Sequence, residues 1–198
     1  QFIVPNVQTV HDRLSVEIMR GCTRGCRFCH AGMVNRPVRE RSVEEIITAM
    51  DNGLGATGYD EVGILSLSSS DYTQILPLTQ EIYHKFRDSH VRVSLPSLRI
   101  ASFSVDLMDE LKELSPGGGF TIAPEAATER LRAVINKPLD EDVLLETART
   151  IFEHGWLNLK MYFMIGLPTE TIGDVQAILD LGSKVHKIGR SIAGNRVH

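Results

Sequence analysis

Much of what locates or staples a protein from outside its core is missing from this 198-residue chain. Cysteine is scarce and odd in number, three residues in all, which argues against a disulfide framework. No uninterrupted apolar run is long enough to span a bilayer, and no charged-then-apolar leader opens the chain. The expected compartment is therefore the reducing cytoplasm. Neither sign of charge dominates: 21 Lys and Arg face 25 Asp and Glu, for a formal charge of −4. That balance carries no electrostatic footprint for nucleic acid or an anionic membrane. Low-complexity linkers are absent too, and the chain opens on Gln1 instead of Met, so it is read as part of a longer protein. What remains is 22.0 kDa with 42% apolar residues and a mean hydropathy of −0.05, enough for one substantial core.

Marking the turn residues exposes a short repeat. Residues 14–19 alternate and read as a strand, as do 62–67, 91–95, 120–123 and 157–165. Helices are expected between them. One starts at the capping box Ser42-Val43-Glu44-Glu45 and ends at Gly53 and Gly55. A second carries Ile75, Ile82, Tyr83 and Phe86, and a third follows Ser104 with Leu107, Met108, Leu111 and Leu114. Two more span 128–135 and 140–153, and the last runs from Ile172 to about Lys187. Five βα units imply one domain with a parallel sheet and helices outside it. Ligands bind such sheets at the carboxyl ends of the strands. There stand the cysteine loop, Ser68-Ser69-Ser70, Pro96-Ser97, Pro124-Glu125 and Gly166-Leu167-Pro168, all expected to line one mouth.

All three cysteines lie in the stretch RGCTRGCRFCHAG, residues 20–32, at C-x3-C-x2-C spacing. Buried incidental thiols suit a glycine- and arginine-rich loop poorly. Structural zinc would want a fourth donor; His30 adjoins Cys29 too closely to share one tetrahedral ion with it, and neither His11 nor His154 has ligand spacing. Cys26-Arg27-Phe28-Cys29-His30 is a literal haem-attachment motif, but it leaves Cys22 unexplained and demands export. An iron–sulfur cube held by three thiolates leaves one iron open, which serves a catalyst that binds its reactant at the metal.

Cys22-Thr23-Arg24-Gly25-Cys26-Arg27-Phe28-Cys29 resembles the C-x3-C-x-Φ-C signature of the radical SAM enzymes, with Phe28 in the aromatic position, and the likeness extends along the chain. It is most similar to an uncharacterised bacterial group carrying a cobalamin-binding type domain ahead of the core, through the run from Asn6 to Arg13. The core also resembles the methylthiotransferases and the Elongator-type catalytic subunit. The resemblance implies a partial (β/α)6 TIM-like barrel, here cut to about five βα units within residues 1–198. Residues 188–198 would then be a turn leading toward a sixth strand that begins at Val197, with strand five an unpaired edge. It also implies a [4Fe–4S] cluster on Cys22, Cys26 and Cys29 that binds S-adenosylmethionine and cleaves it reductively. The electron would come from a donor such as flavodoxin or ferredoxin, and cobalamin would enter only through a separate domain. A non-catalytic iron–sulfur module for electron transfer or sensing is the alternative.

By the same resemblance Phe28 lies near the adenine. Ser68, Ser69 and Ser70 replace the family's Gly-Gly-Glu segment at the methionine amino group, a departure that removes its carboxylate; Asp71 offers one, or caps a helix. Glu125 is expected at the ribose or amino group, and Lys137 at the cofactor carboxylate, with Arg99 a further basic candidate. Phe163-Met164-Ile165-Gly166-Leu167-Pro168-Thr169-Glu170-Thr171 resembles the strand-five segment of the methylthiotransferase-like relatives. Ile165 would flank adenine, and Gly166 would let the chain pass closely.

Overall fold

The computed structural model describes residues 3–7, 9–94, 112 and 119–198. Arg99, the Pro96-Ser97 loop and nearly all of the helix expected after Ser104 lie outside these residues. The first expected strand is two pieces, β1 (Leu14–Glu17) and β2 (Met19–Arg20). β1 pairs in parallel with β4 (Glu61–Leu65), which pairs in parallel with β5 (Arg92–Ser94). In the second half, β6 (Phe120–Glu125) pairs in parallel with β7 (Leu159–Phe163). Neighbouring strands follow chain order, as in a barrel laid down unit by unit.

Helices cover the outer face. α2 (Val43–Thr57) begins at the expected capping box: Ser42 Oγ accepts from the Glu45 amide, and Glu45 accepts from the Ser42 amide. It does not stop at Gly53 or Gly55, but runs on to a left-handed Gly58. Gly53 is buried, and a Cβ there would fall within 2.5 Å of the Leu14 side chain, so this glycine serves helix-to-strand packing instead of termination. α3 (Ile75–Phe86) buries Leu78, Ile82 and Phe86 beside α2. α4 (Glu129–Val134), α5 (Glu141–Glu153) and α6 (Ile172–Ala193) complete the described set, along with a short α1 (Ala31–Val34).

Two apolar cores result. One joins β1, β4 and β5 to α2 and α3; the other joins β6 and β7 to α5 and α6, with Ile75 packed against both. One sequence-based boundary is corrected near the end of the chain. Residues 188–193, expected as a turn, continue α6, because Ile188 and Ile192 keep the apolar period that packs on the second core. Val197 is buried in that core, and His198 exchanges hydrogen bonds with Leu157 and Leu159 (2.9 and 3.1 Å), the pattern of a first parallel rung beside β7. Strand β7 is thus paired on its second side at its very start.

Candidate cofactor site

The cysteine loop leaves β2 and returns through β3 (Arg39–Glu40), which pairs antiparallel with β2; neither this hairpin nor α1 was expected from sequence. The three thiols are unpaired with one another and half-buried. Backbone amides point at two of them: Arg24 N–H at Cys22 Sγ (3.5 Å) and Gly32 N–H at Cys29 Sγ (3.3 Å). Gly32 is buried, and a Cβ there would lie 3.4 Å from Cys29 Sγ, an ordinary contact distance, so the position packs against the thiol without demanding glycine. Three thiolates, two of them with amide donors on their sulfurs, suit an iron–sulfur cube, whose ligands each serve a different iron. Among the described residues no three His, Cys, Asp or Glu converge on a single ion.

Both halves of the chain brace the loop. From the first, Asp71 takes a two-pronged contact from Arg24, with Nε at 3.0 Å, while Ser68 Oγ donates to the same carboxylate at 2.8 Å. The pairing with Asp71 raises the Arg24 guanidinium above its ordinary pKa, desolvation opposing. Asp71 closes a 3-10 turn, Ser69–Asp71, and is not the cap of α3, whose N-cap residue is Gln74. From the second half, the end of α4 meets the loop. Arg27 N–H donates to Ile135 O (2.9 Å), and Asn136 Nδ2 donates to Gly25 O (2.8 Å). Asn136 sits at a left-handed φ of 54°, and the amides of Asn136 and Lys137 return to Ala133 and Arg132. This is a Schellman ending with asparagine in the place glycine usually takes.

The same ending presents Lys137, whose Nζ lies 2.9 Å from Glu125 Oε1, both side chains largely buried. Two residues expected to act separately are therefore one ion pair. Glu125 follows a register shift in the β6–β7 ladder and has φ 66°, an uncommon conformation for glutamate. Beneath it Arg132, fully buried, donates to the carbonyls of Ala126 (3.1 Å), Ala127 (2.9 Å) and Leu139 (2.6 Å). Sequence reasoning missed Arg132, since nothing in its spacing distinguishes it from a surface arginine.

Ser68, Ser69 and Ser70 are buried, and the Ser69 hydroxyl is 2.8 Å from that of Ser66. Phe28 is 42% exposed and Ile165 71% exposed, both open to a ligand. Gly166 has φ 91°, and a Cβ on it would meet nothing within 4 Å. Within this chain the glycine answers to its backbone angle, not to a close passage. The rest of its motif is a cap: Glu170 accepts from Gly166 N–H (2.5 Å), and Thr171 and Asp174 form the capping box of α6. Asp174 also accepts from Thr128 Oγ1 (2.6 Å) and Arg130 (2.5 Å). These bonds, with Thr128 first, hold its carboxyl well below the usual carboxylate range.

The radical SAM superfamily profile matches residues 16–182. The chain belongs to the radical SAM superfamily. An uncharacterised protein of Methanocaldococcus jannaschii is 34% identical over 177 residues, 89% of this chain and 38% of that protein. The ribosomal protein uS12 methylthiotransferase RimO of Desulfotalea psychrophila is 24% identical, over 85% of this chain and 40% of its own. This radical SAM chain thus spans well under half the length of these relatives. Among solved structures, the radical S-adenosylmethionine methyltransferase TsrM of Kitasatospora setae, with cobalamin and a [4Fe-4S] cluster bound, superposes with a TM-score of 0.71 at 17% identity. That match covers 88% of this chain and 35% of TsrM. The coproporphyrinogen III oxidase HemN of Escherichia coli gives 0.61 at 15% identity, over 87% and 41%. These neighbours share the α/β partial barrel. Superfamily membership implies a radical SAM enzyme whose cofactors are a [4Fe–4S] cluster and S-adenosylmethionine. Among the described residues no helix is long and apolar enough to cross a membrane.

Proposed function

We propose that Cys22, Cys26 and Cys29 hold the cluster and that the surrounding loops bind S-adenosylmethionine for its reductive cleavage. The observation that carries this is the cysteine loop itself: half-buried thiols, amides aimed at two sulfurs, and braces from both halves of the chain. When bound, the cluster supplies the electron that splits the sulfonium into methionine and a 5'-deoxyadenosyl radical. The protein's part is to bind, orient and shield. Lys137 spends one ammonium donor on Glu125 and keeps the others for the methionine carboxylate. Glu125 keeps acceptor capacity for the ribose hydroxyls. Ser68 donates to Asp71 and Ser69 shares a proton with Ser66, and their hydroxyl oxygens keep acceptor capacity for the methionine amino group beside the backbone of that turn. Phe28, Ile165 and Gly166 are assigned to the adenine. We further propose that residues 1–198 are the catalytic core of a longer cytoplasmic protein, with cobalamin, if used, carried by another domain.

Anaerobic reconstitution tests the ligand set. One cluster per chain is expected, and dithionite with S-adenosylmethionine should release 5'-deoxyadenosine. Alanine at Cys22, Cys26 or Cys29 should abolish both, because two thiolates do not hold the cube. A full cluster in Cys22→Ala, or haem bound covalently at Cys26 and Cys29, would overturn the assignment.

A further inference from the structure

The strands turn one face to the helices and leave the other free, and the free face has a chemistry of its own. On β7, Leu159, Met161 and Phe163 pack into the second core, so Lys160 and Tyr162 stand on the inner face of the partial barrel. Thr121 of β6 is the direct cross-strand partner of Lys160. On β1 and β4, Leu14, Val16, Val62 and Ile64 enter the first core, which turns Ser15 and Gly63 inward as a facing pair. Arg13 fills the place that Gly63 leaves without a side chain: a Cβ there would stand 3.0 Å from Arg13 Nε. Its guanidinium meets Glu61 at 3.1 Å, and Arg92, the partner of Glu61 on β5, approaches the same carboxylate at 3.4 Å and the exposed Asp60 at 3.9 Å. Glu61 thus serves two guanidinia at the floor of this face. Higher up, Glu17 pairs with Arg20 and Glu125 with Lys137. Lys160 is exposed, and among the described residues no carboxylate pairs with it.

We propose that Lys160, with Thr121 and Tyr162 beside it, binds an anionic group, carboxylate or phosphate, of a small polar substrate held against this inner face. The proposal rests on the radical SAM reading above and names the chemistry of the molecule that site acts on. The chemistry of such a site requires water to be kept out, and closing it takes Lys160 out of water while the acids of its face are already paired. An ammonium buried without a counter-charge is costly, so the bound molecule must bring one. Cations in a concave cleft also focus their field and raise the local concentration of anions. The spacing fits a small molecule: Glu125 is level with Phe163, three residues beyond Lys160, which is about 10 Å along the strand. A charged end on Lys160 therefore leaves the body of the substrate reaching toward the cofactor residues. The hydroxyls of Thr121 and Tyr162 donate or accept along that body. A cationic or purely apolar substrate would leave Lys160 unanswered. An inward lysine also guards a sheet edge against pairing, a role that calls for no ligand and is separated by experiment.

The test is calorimetric titration with glycerol 3-phosphate and with succinate, glycerol serving as the neutral comparison. It is run on the reconstituted chain saturated with S-adenosylmethionine, so that Lys137 is occupied, and again on the cluster-free chain. One of the two anions should bind, naming the group, and glycerol should not. Lys160→Met should weaken that binding about tenfold, the loss of a charge-assisted hydrogen bond, and Lys160→Arg should restore most of it. Tyr162→Phe should weaken it less, and Lys187→Met, on α6, should have no effect. Affinity for S-adenosylmethionine should stay unchanged in Lys160→Met. Binding of neither anion to either form, or anion binding unmoved by Lys160→Met, would overturn the proposal and return Lys160 to guarding the edge. Binding lost in Lys137→Met but kept in Lys160→Met would overturn it too, by moving the anion to the cofactor site. Failure to bind S-adenosylmethionine would remove the cofactor assignment, and titration of the cluster-free chain would still decide whether Lys160 holds an anion.

Discussion

Glu125 and Lys137 show how far single residues carry function here. Each is recognisable as a candidate from its place in a motif, but their 2.9 Å pairing brings together residues 12 positions apart through the Schellman end of α4. Replacing Glu125 by alanine should weaken S-adenosylmethionine binding by about 1.5–3 kcal/mol, near ten- to hundredfold, with the cluster intact. Lys137→Met should act likewise, and the double variant should lose less than the two single losses together, because each single change strands the other charge. Calorimetric titration decides; an unchanged affinity in Glu125→Ala returns the pair to structure alone. Asp174 makes a separate prediction in pH. Its folded carboxyl titrates below the unfolded one, so the folded state binds fewer protons and stability is gained above the ordinary carboxylate pKa of about 4. That contribution should fade as the pH falls below about 4. Melting curves should therefore show Asp174→Asn less stable than the parent at neutral pH, with the gap narrowing on acidification.

At the scale of elements, caps and periodicity were legible, and very short pieces were not. The Ser42 box forms as expected, while the Thr171 box, with aspartate instead of glutamate at its third position, emerges only in the structure. The β2–β3 hairpin, two residues on each side, and the four-residue α1 are too short to carry a period, and only the loop's closure requires them. Asn136 joins the two kinds of element, ending α4 and holding Gly25. Asn136→Gly should keep the helix end, since glycine accepts the left-handed angle, but lose the side-chain bond. Stability should change little, while amide exchange at Arg27, which bonds Ile135, becomes faster. Asn136→Ala should cost about 1–2 kcal/mol more, for a Cβ in the left-handed region. Denaturant curves and hydrogen exchange together separate the two effects.

For the whole molecule, the cysteine loop matters as a junction between two cores, tied to Asp71 on one side and to Ile135 and Asn136 on the other. The second core depends on a close approach at Gly189, where a Cβ would meet Phe152 and Val197 at 2.8 Å. Gly189→Ala should destabilise by about 1–3 kcal/mol through overpacking, read as a lower denaturant midpoint. Its neighbour Gly182, where a Cβ meets nothing within 4 Å, should accept alanine without that loss. The sequence alone determined the βα order, the boxed helix start at Ser42, the thiol spacing and the motif residues, because each is written in a local period or a fixed offset. Tertiary structure decided the rest. Gly53 and Gly189 look like helix stops and serve as packing sites; Asp71 looks like a cap and anchors Arg24; Arg132 looks exposed and is buried. In each case the deciding partner is distant along the chain or reached only once the loops have closed, so neighbouring residues alone could not specify it.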